Sequence, residues 1–385
     1  MERETDRMDN KAKRICIVAK GFFPENTPRS FRATELAKQF AREGHQVTVY
    51  TNDKEYDYTA FEREYNVSVL SYGKLRFKPL RSNGIPVLGE LKRKLGRLLF
   101  MLVDYPNIEI TWKLKSKLKQ LQEQDLLVSI AVPYAVHWGV AWARRKDKKL
   151  ANVWVADCGD PFMGNTLESF RYPFYFSFLE KWFCRKVDYL TVPTQGAIKS
   201  YYQEFHHKIK VIPQGFNFQD IVIKQEYSTN NIPTFAYCGG IAATGVRSPF
   251  KLLELLSQID RPFVFHIYAT GGLDLLKDKI TGLEDKVVLH KAIDRVELIK
   301  RLAKMDFLVN FDNGTMHQVP SKLIDYSLSG RPIMNIFPAS PDKALLMAFL
   351  EGNYQGQWKI KNLEEYNITN VTKNFLELLN HSSVS

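Results

Sequence analysis

MDFLVNFDNGTMHQVPSKLIDYSLSGRPIMNI, residues 305–336, is the stretch from which the fold is read. Phe307–Phe311 is a short apolar run of the length a buried parallel strand needs. A polar, glycine-containing loop follows over residues 312–318. Pro320 and Ser321 mark a helix start, and Leu323, Ile324 and Leu328 fall on one face of that helix. Gly330 is placed to close it in a left-handed cap, and Pro332 keeps it from restarting. Ile333–Phe337 is the next strand. A strand, a polar loop, a helix opening onto that loop and a second strand make an anion-binding arrangement. The free N–H groups and the helix dipole both favour a phosphate there.

Working outward, 385 residues allow two domains of ordinary size, and 45% hydrophobic residues supply their cores. The net charge of +12 and pI near 9.3 point to an anionic partner: nucleic acid, anionic lipid or a phosphorylated substrate. Cys16, Cys158, Cys184 and Cys238 sit singly in apolar surroundings, without metal or redox spacing, which fits a reducing compartment. The charged N-terminus does not read as a signal peptide, and no apolar run is long enough to span a membrane.

Residues 14–51 read as strand, helix and strand, with Ser30 or Thr34 opening the helix and Gly44 ending it. Arg29 and Arg32 make the preceding loop basic, so they either serve an acceptor phosphate or pair locally. Residues 74–119 carry twelve Lys/Arg against Glu90, Asp104 and Glu109, a net of +9, around the apolar centre Leu95–Val103. That pattern suits a helix lying on an anionic membrane, and a solvated basic face remains the alternative. With only Phe77, Phe100, Tyr105 and Trp112 to stack on bases, nucleic acid is not the expected partner. A loop with Asp157 and Asp160-Pro161 follows the strand Ala151–Ala156, at the end where open α/β sheets place ligands. Asp160 is the candidate for orienting or deprotonating a substrate hydroxyl, with Asp157 competing and a plain Asp-Pro turn as the alternative. A helix is expected from Thr194 through Phe205. Gly239-Gly240 follows another strand and lets backbone approach a ligand closely.

VPSKLIDYSLSGRPIMNI resembles the donor-site segment of GT-B glycosyltransferases of the family 4 type. FPEN…LAKQFAREGHQVTVYT and TVPTQGAIKSYY…KIKVIPQGFNF are similar to that family's opening unit and inter-domain crossing. The resemblance implies an α/β fold of two Rossmann-like domains facing across a cleft. The expected layout is a tail over 1–13, an acceptor-binding domain over 14–223 and a linker over 224–233. A nucleotide-sugar domain over 234–360 and a returning helix over 361–385 complete it. By the same resemblance Asp325 binds the ribose hydroxyls, Ser321 and Lys322 face the diphosphate, and Arg247 and Lys251 neutralise it. Gly239 and Gly240 line the donor loop, and residues 291–294 lie beside the base. The family's first glutamate is replaced by His317, and His317, Asn313 and Gln318 are the substitutes that would contact the sugar.

The implied reaction is transfer of a sugar, of the hexosyl and retaining type, from a nucleotide-sugar. The acceptor is a saccharide or lipid-linked saccharide in cell-surface polysaccharide synthesis, with no metal or other cofactor. The implied location is cytoplasmic, peripheral at the inner membrane face. An inactive GT-B partner subunit and a GT-B nucleotide-sugar epimerase are the alternatives.

Overall fold

The computed structural model describes residues 11–25, 27–52, 55–80, 86–147, 149–164, 172–219, 229–312 and 321–380. The chain divides into two compact units, Met1–Phe216 with Ile368–Ser385, and Asn217–Asn367.

In the first unit, seven strands form one parallel sheet: β1 (Arg14–Ala19), β2 (Gln46–Thr51), β3 (Val67–Ser71), β4 (Gln124–Ala131), β5 (Ala151–Cys158), β6 (Tyr189–Val192) and β7 (Ile209–Val211). Their order is β3-β2-β1-β4-β5-β6-β7, so the direction of winding reverses between β1 and β4. The helices are α1 (Pro28–Arg42), α2 (Thr59–Tyr65), α3 (Pro86–Val103), α4 (Glu109–Leu118), α5 (Ala135–Ala143) and α6 (Tyr175–Lys186).

RICIVA is apolar nearly throughout because both its faces are covered. Ile15 and Ile17 join Leu36 and Phe40 of α1 with Val371 and Phe375 of the C-terminal helix Ile368–Asn380. Cys16 and Val18 join Leu114 of α4, Trp138 of α5 and Phe183 of α6 on the opposite face. The last helix thus belongs to the first unit's core, although some 150 residues of the second unit precede it in sequence.

In the second unit β8 (Thr234–Cys238), β9 (Val264–Ala269), β10 (Val287–Lys291), β11 (Phe307–Phe311) and β12 (Ile333–Ile336) form a parallel sheet ordered β10-β9-β8-β11-β12. Helices α7 (Phe250–Leu256) and α10 (Lys343–Leu350) cover one face, while α8 (Arg295–Leu302) and α9 (Ser321–Leu328) cover the other. Winding reverses between β8 and β11, so the loops after these two strands flank the position where such sheets bind ligands.

Two local expectations are corrected. Thr27, not Ser30 or Thr34, caps α1: its hydroxyl accepts from the Ser30 amide, and Pro28 supplies the fixed φ suited to the first helical position. The stretch from Thr194 is not one helix but two short 3-10 turns, Gln195–Ser200 and Gln203–Lys208. Tyr201 is extended between them and buried in the core.

Candidate active site

The residues expected to hold a diphosphate lie in the second unit, around the end of β8. Gly239 has φ +152°, and a Cβ there would come within 2.7 Å of the Tyr237 hydroxyl. That hydroxyl donates to the Gly240 carbonyl at 3.1 Å, holding the turn open. Beyond it, a Cβ on Gly240 would meet only Arg247 Nη1 and Thr270 Oγ1, each at 3.8 Å. Arg247 is exposed, and the Ala242 amide donates to its carbonyl at 3.1 Å, pinning the loop.

Lys322, in the first turn of α9, reaches the same place, with Nζ 4.9 Å from the Tyr237 ring centroid. Burial brings its pKa down to about 8; the Cys238 thiol opposes that shift and the Arg247 charge adds to it. Among the described residues neither Arg247 nor Lys322 has a carboxylate partner. Two cations beside an open glycine turn and a helix start therefore converge with no carboxylate partner among the described residues. That is the requirement for holding an anion.

Tyr326 anchors α9 to the strand: its hydroxyl accepts from the Cys238 amide at 2.7 Å. At the other end Gly330 has φ +71°, the left-handed C-cap expected of it.

Asp325 faces a partner that the sequence did not disclose. Arg295, the first residue of α8, donates to Asp325 Oδ1 from Nε at 2.8 Å and from Nη2 at 2.6 Å. Burial pushes the Asp325 carboxyl above the usual range, and Arg295 offsets this only in part. Both of these bonds use one oxygen. Among the described residues none donates to Oδ2, which leaves that oxygen to a hydroxyl donor, with the guanidinium beside it.

Lys251 is a correction. It lies exposed on α7 and pairs with Glu254 at 2.8 Å, one turn along the helix, which is the exposed helix residue that the sequence also allowed. His317 and Gln318 lie outside the described residues, as does the Ser321 side chain.

In the first unit the basic loop resolves into a buried ion pair. Arg32 is 2% exposed; its Nε and Nη2 donate to the two oxygens of Asp157 at 3.2 and 2.8 Å. Arg32 also donates to the carbonyls of Pro213 and Ile212. The acceptor-phosphate expectation for Arg32 is therefore overturned: its donors are turned inward, and local pairing is what occurs. Asp157, which also accepts from the Thr191 hydroxyl at 2.8 Å, is a structural carboxylate and not a free base. Arg29 stands 3.6 Å from Asp157 and packs on Gly159, where a Cβ would come within 2.5 Å of its guanidinium carbon. With a quarter of its side chain exposed, Arg29 keeps the position from which an anion could be met.

Asp160 is half-buried just after β5, and the Tyr134 hydroxyl donates to its carbonyl at 2.7 Å. A second carboxyl, linked to the residue that follows β1, was not foreseen. Lys20, following β1, donates to Asn107 Oδ1 at 2.8 Å, and Asn107 donates to Asp104 Oδ1 at 3.1 Å. Burial raises Asp104 to about 7 against the opposing pull of Asn107 and Lys20. Its Oδ2 has no hydrogen-bond partner among the described residues. A carboxyl poised near neutrality can take or give a proton. His137, between Ser129 Oγ at 2.8 Å and Cys158 Sγ at 3.6 Å, is a satisfied core histidine, brought down to about 3 by burial.

Two Rossmann-like units, each built on its own parallel sheet and one carrying a basic turn at its winding reversal, fit the GT-B class. The sequence pattern of Glycosyltransferase Family 4 matches residues 31–220, just under half of the chain, and the two units have the GT-B type of fold. Among solved structures it is similar to a glycosyltransferase from Rickettsia africae, at 12% identity and TM-score 0.63 over 97% of this chain and 99% of that one. It is also similar to the lipopolysaccharide outer core galactosyltransferase WaaB (11%, TM-score 0.61, 95% and 99% covered). Anabaena HepE in complex with UDP gives 13% identity and TM-score 0.60, with 96% and 100% covered. No curated protein sequence matches the chain.

Proposed function

We propose that this protein transfers a hexosyl unit, with retention, from a nucleotide-sugar to a saccharide or lipid-linked saccharide in polysaccharide synthesis. The observation that carries the reading is the convergence of Arg247 and Lys322 on the Gly239–Gly240 turn without a carboxylate partner among the described residues. A departing nucleoside diphosphate needs charge stabilisation as the glycosidic bond breaks, and two fixed cations with a helix N-terminus supply it without a metal ion. Asp325, steadied by Arg295, is the ribose acceptor. Asp160 and Asp104 are the acceptor-side carboxyls. The UDP in the Anabaena neighbour makes a uridine donor the first to test.

Thermal unfolding with a panel of nucleoside diphosphates tests the reading. A bound diphosphate at about 100 times its Kd should add roughly 2.7 kcal/mol of stability. Failure of every nucleoside diphosphate to raise Tm would remove the donor site. Binding without transfer would leave the partner-subunit alternative. Arg247→Ala should lower kcat/KM by about 10²-fold or more and leave the unliganded Tm unchanged, because an exposed guanidinium contributes little to the fold. Unchanged kinetics would take Arg247 out of the site.

The acceptor reading extends to a membrane surface at residues 74–119, on the cytoplasmic side. Among the described residues no helix is long and apolar enough to cross a membrane. On α3, Leu91, Leu95, Leu98 and Leu102 recur at the spacing of one helix face, and all are exposed, Leu91 by 63%. Lys92 and Lys94 flank that stripe at about 100° per residue. Such a helix lies in a bilayer interface. Replacing Lys92, Arg93, Lys94 and Arg97 together by Gln should remove up to about 4 kcal/mol of attraction to anionic vesicles. Co-sedimentation should then drop steeply for this variant, and for the wild type in high salt. Wild-type protein that stays in the supernatant at low salt would sink the membrane reading.

A further inference from the structure

Behind the basic stretch, α4, α5 and α6 enclose a pocket of about 630 Å³, within the size range of small-molecule sites. Its walls are almost wholly apolar: Ile108, Trp112, Trp138, Trp142, Phe178 and Trp182 among them. Core packing does not explain its mouth. Phe178 is 66% exposed and its neighbour Phe174 76%, while Trp112 and Trp142 also stand open to solvent. Large aromatics left exposed around a concavity mark a binding surface.

The rim is cationic. Lys115 Nζ lies 3.6 Å from the Trp142 ring centroid, with no carboxylate partner among the described residues, whereas Lys186 Nζ, 5.0 Å from that of Trp182, donates to the Ala141 and Arg144 carbonyls. The pocket also joins the amphipathic helix, since the hydroxyl of Tyr175, a lining residue, donates to the Leu102 carbonyl at the end of α3. An aromatic slot with the Lys115 ammonium at its edge, continuous with an exposed leucine stripe, matches one chemistry: a hydrocarbon chain ending in a phosphate.

We infer that this pocket takes the hydrocarbon chain of a phosphate-headed lipid drawn from the membrane, with Lys115 meeting the head group. The inference goes beyond the transfer reaction and needs no donor to be tested, so its failure and that of the donor reading are separately visible.

Four of the chain's six tryptophans line the pocket, so intrinsic fluorescence reports on its occupancy. Titration of the full chain with farnesyl phosphate below its micellar concentration should give a saturable change, and inorganic phosphate none. Phe178→Asp, at an exposed position where folding is not at risk, should weaken binding at least tenfold. Lys115→Gln should weaken farnesyl phosphate but not farnesol. The variant with Gln at 92, 93, 94 and 97 should still bind the soluble probe, because its charges serve the bilayer and not the slot. Absence of saturable binding, or equal affinity in Phe178→Asp, overturns the pocket assignment. Farnesol binding as tightly as farnesyl phosphate overturns the phosphate head.

Discussion

Lys322→Met is expected to reduce donor turnover by about 10²–10³-fold while the protein remains folded, the range seen when one preorganised charge-stabilising donor is removed. Methionine keeps most of the length that packs over the Tyr237 ring, so the loss isolates the charge. The pH dependence gives a second readout. Burial lowers the Lys322 pKa from 10.5 to about 8, so between those values the unfolded chain binds a proton that the folded apo protein does not. Stability therefore rises with pH across that window, and below about 8 folding carries the cost of a half-buried ammonium. A bound diphosphate reverses the preference, because it favours the protonated amine. Nucleoside diphosphate affinity should then fall as pH rises through about 8 in the wild type and lose that inflection in Lys322→Met. Retention of both the inflection and the affinity in the variant would place the diphosphate elsewhere.

The legibility of this site followed its locality. The strand, helix, left-handed cap and second strand of residues 307–336 were readable because each signal lies within a few positions of the element it governs. Lys322 was legible for the same reason, being fixed by the start of its own helix. Arg295 was not: it stands 30 residues from Asp325, and no local spacing announces a partner that only the packing of α8 beside α9 creates. Lys251 shows the limit of such local reading. Its place after the glycine turn suited the donor loop, but the helix it sits on turns it outward to Glu254. Residues 52–125 were diffuse in sequence for a physical reason as well. β3 is an edge strand with mostly exposed side chains, so the alternation that marks a half-buried strand is weak there. In α3 the reverse holds: its apolar stripe was plain in sequence, and only the structure shows that no described part of the protein covers it. The aromatic pocket needed three helices to be brought together, which no single stretch could reveal.

Arg32→Met is expected to destabilise the first unit by about 3–5 kcal/mol, the cost of leaving a buried carboxylate without its partner. Both members of the pair are nearly inaccessible, with side-chain exposures of 2% and 4%, so solvent cannot take over the lost interaction. Arg29, 3.6 Å from Asp157 and partly exposed, compensates only weakly. Burial alone would raise the Asp157 pKa, yet the charges of Arg32 and Arg29 and the Thr191 hydrogen bond hold it below the usual carboxylate range. In the wild type, then, this carboxylate contributes stability above its unfolded pKa of about 3.9, and that contribution is lost as pH falls through the lower folded value. Removing Arg32 reverses the sign. Burial then dominates, the folded pKa rises above the unfolded one, and the variant is penalised as pH rises. The stability gap between wild type and Arg32→Met should therefore be widest near pH 7 and narrow on acidification toward pH 4, where a protonated Asp157 no longer needs a partner. Chemical denaturation at the two pH values measures the gap directly. A gap that is constant with pH would mean that Arg32 acts through its packing on Phe375 and its bonds to the Ile212 and Pro213 carbonyls, and not through Asp157.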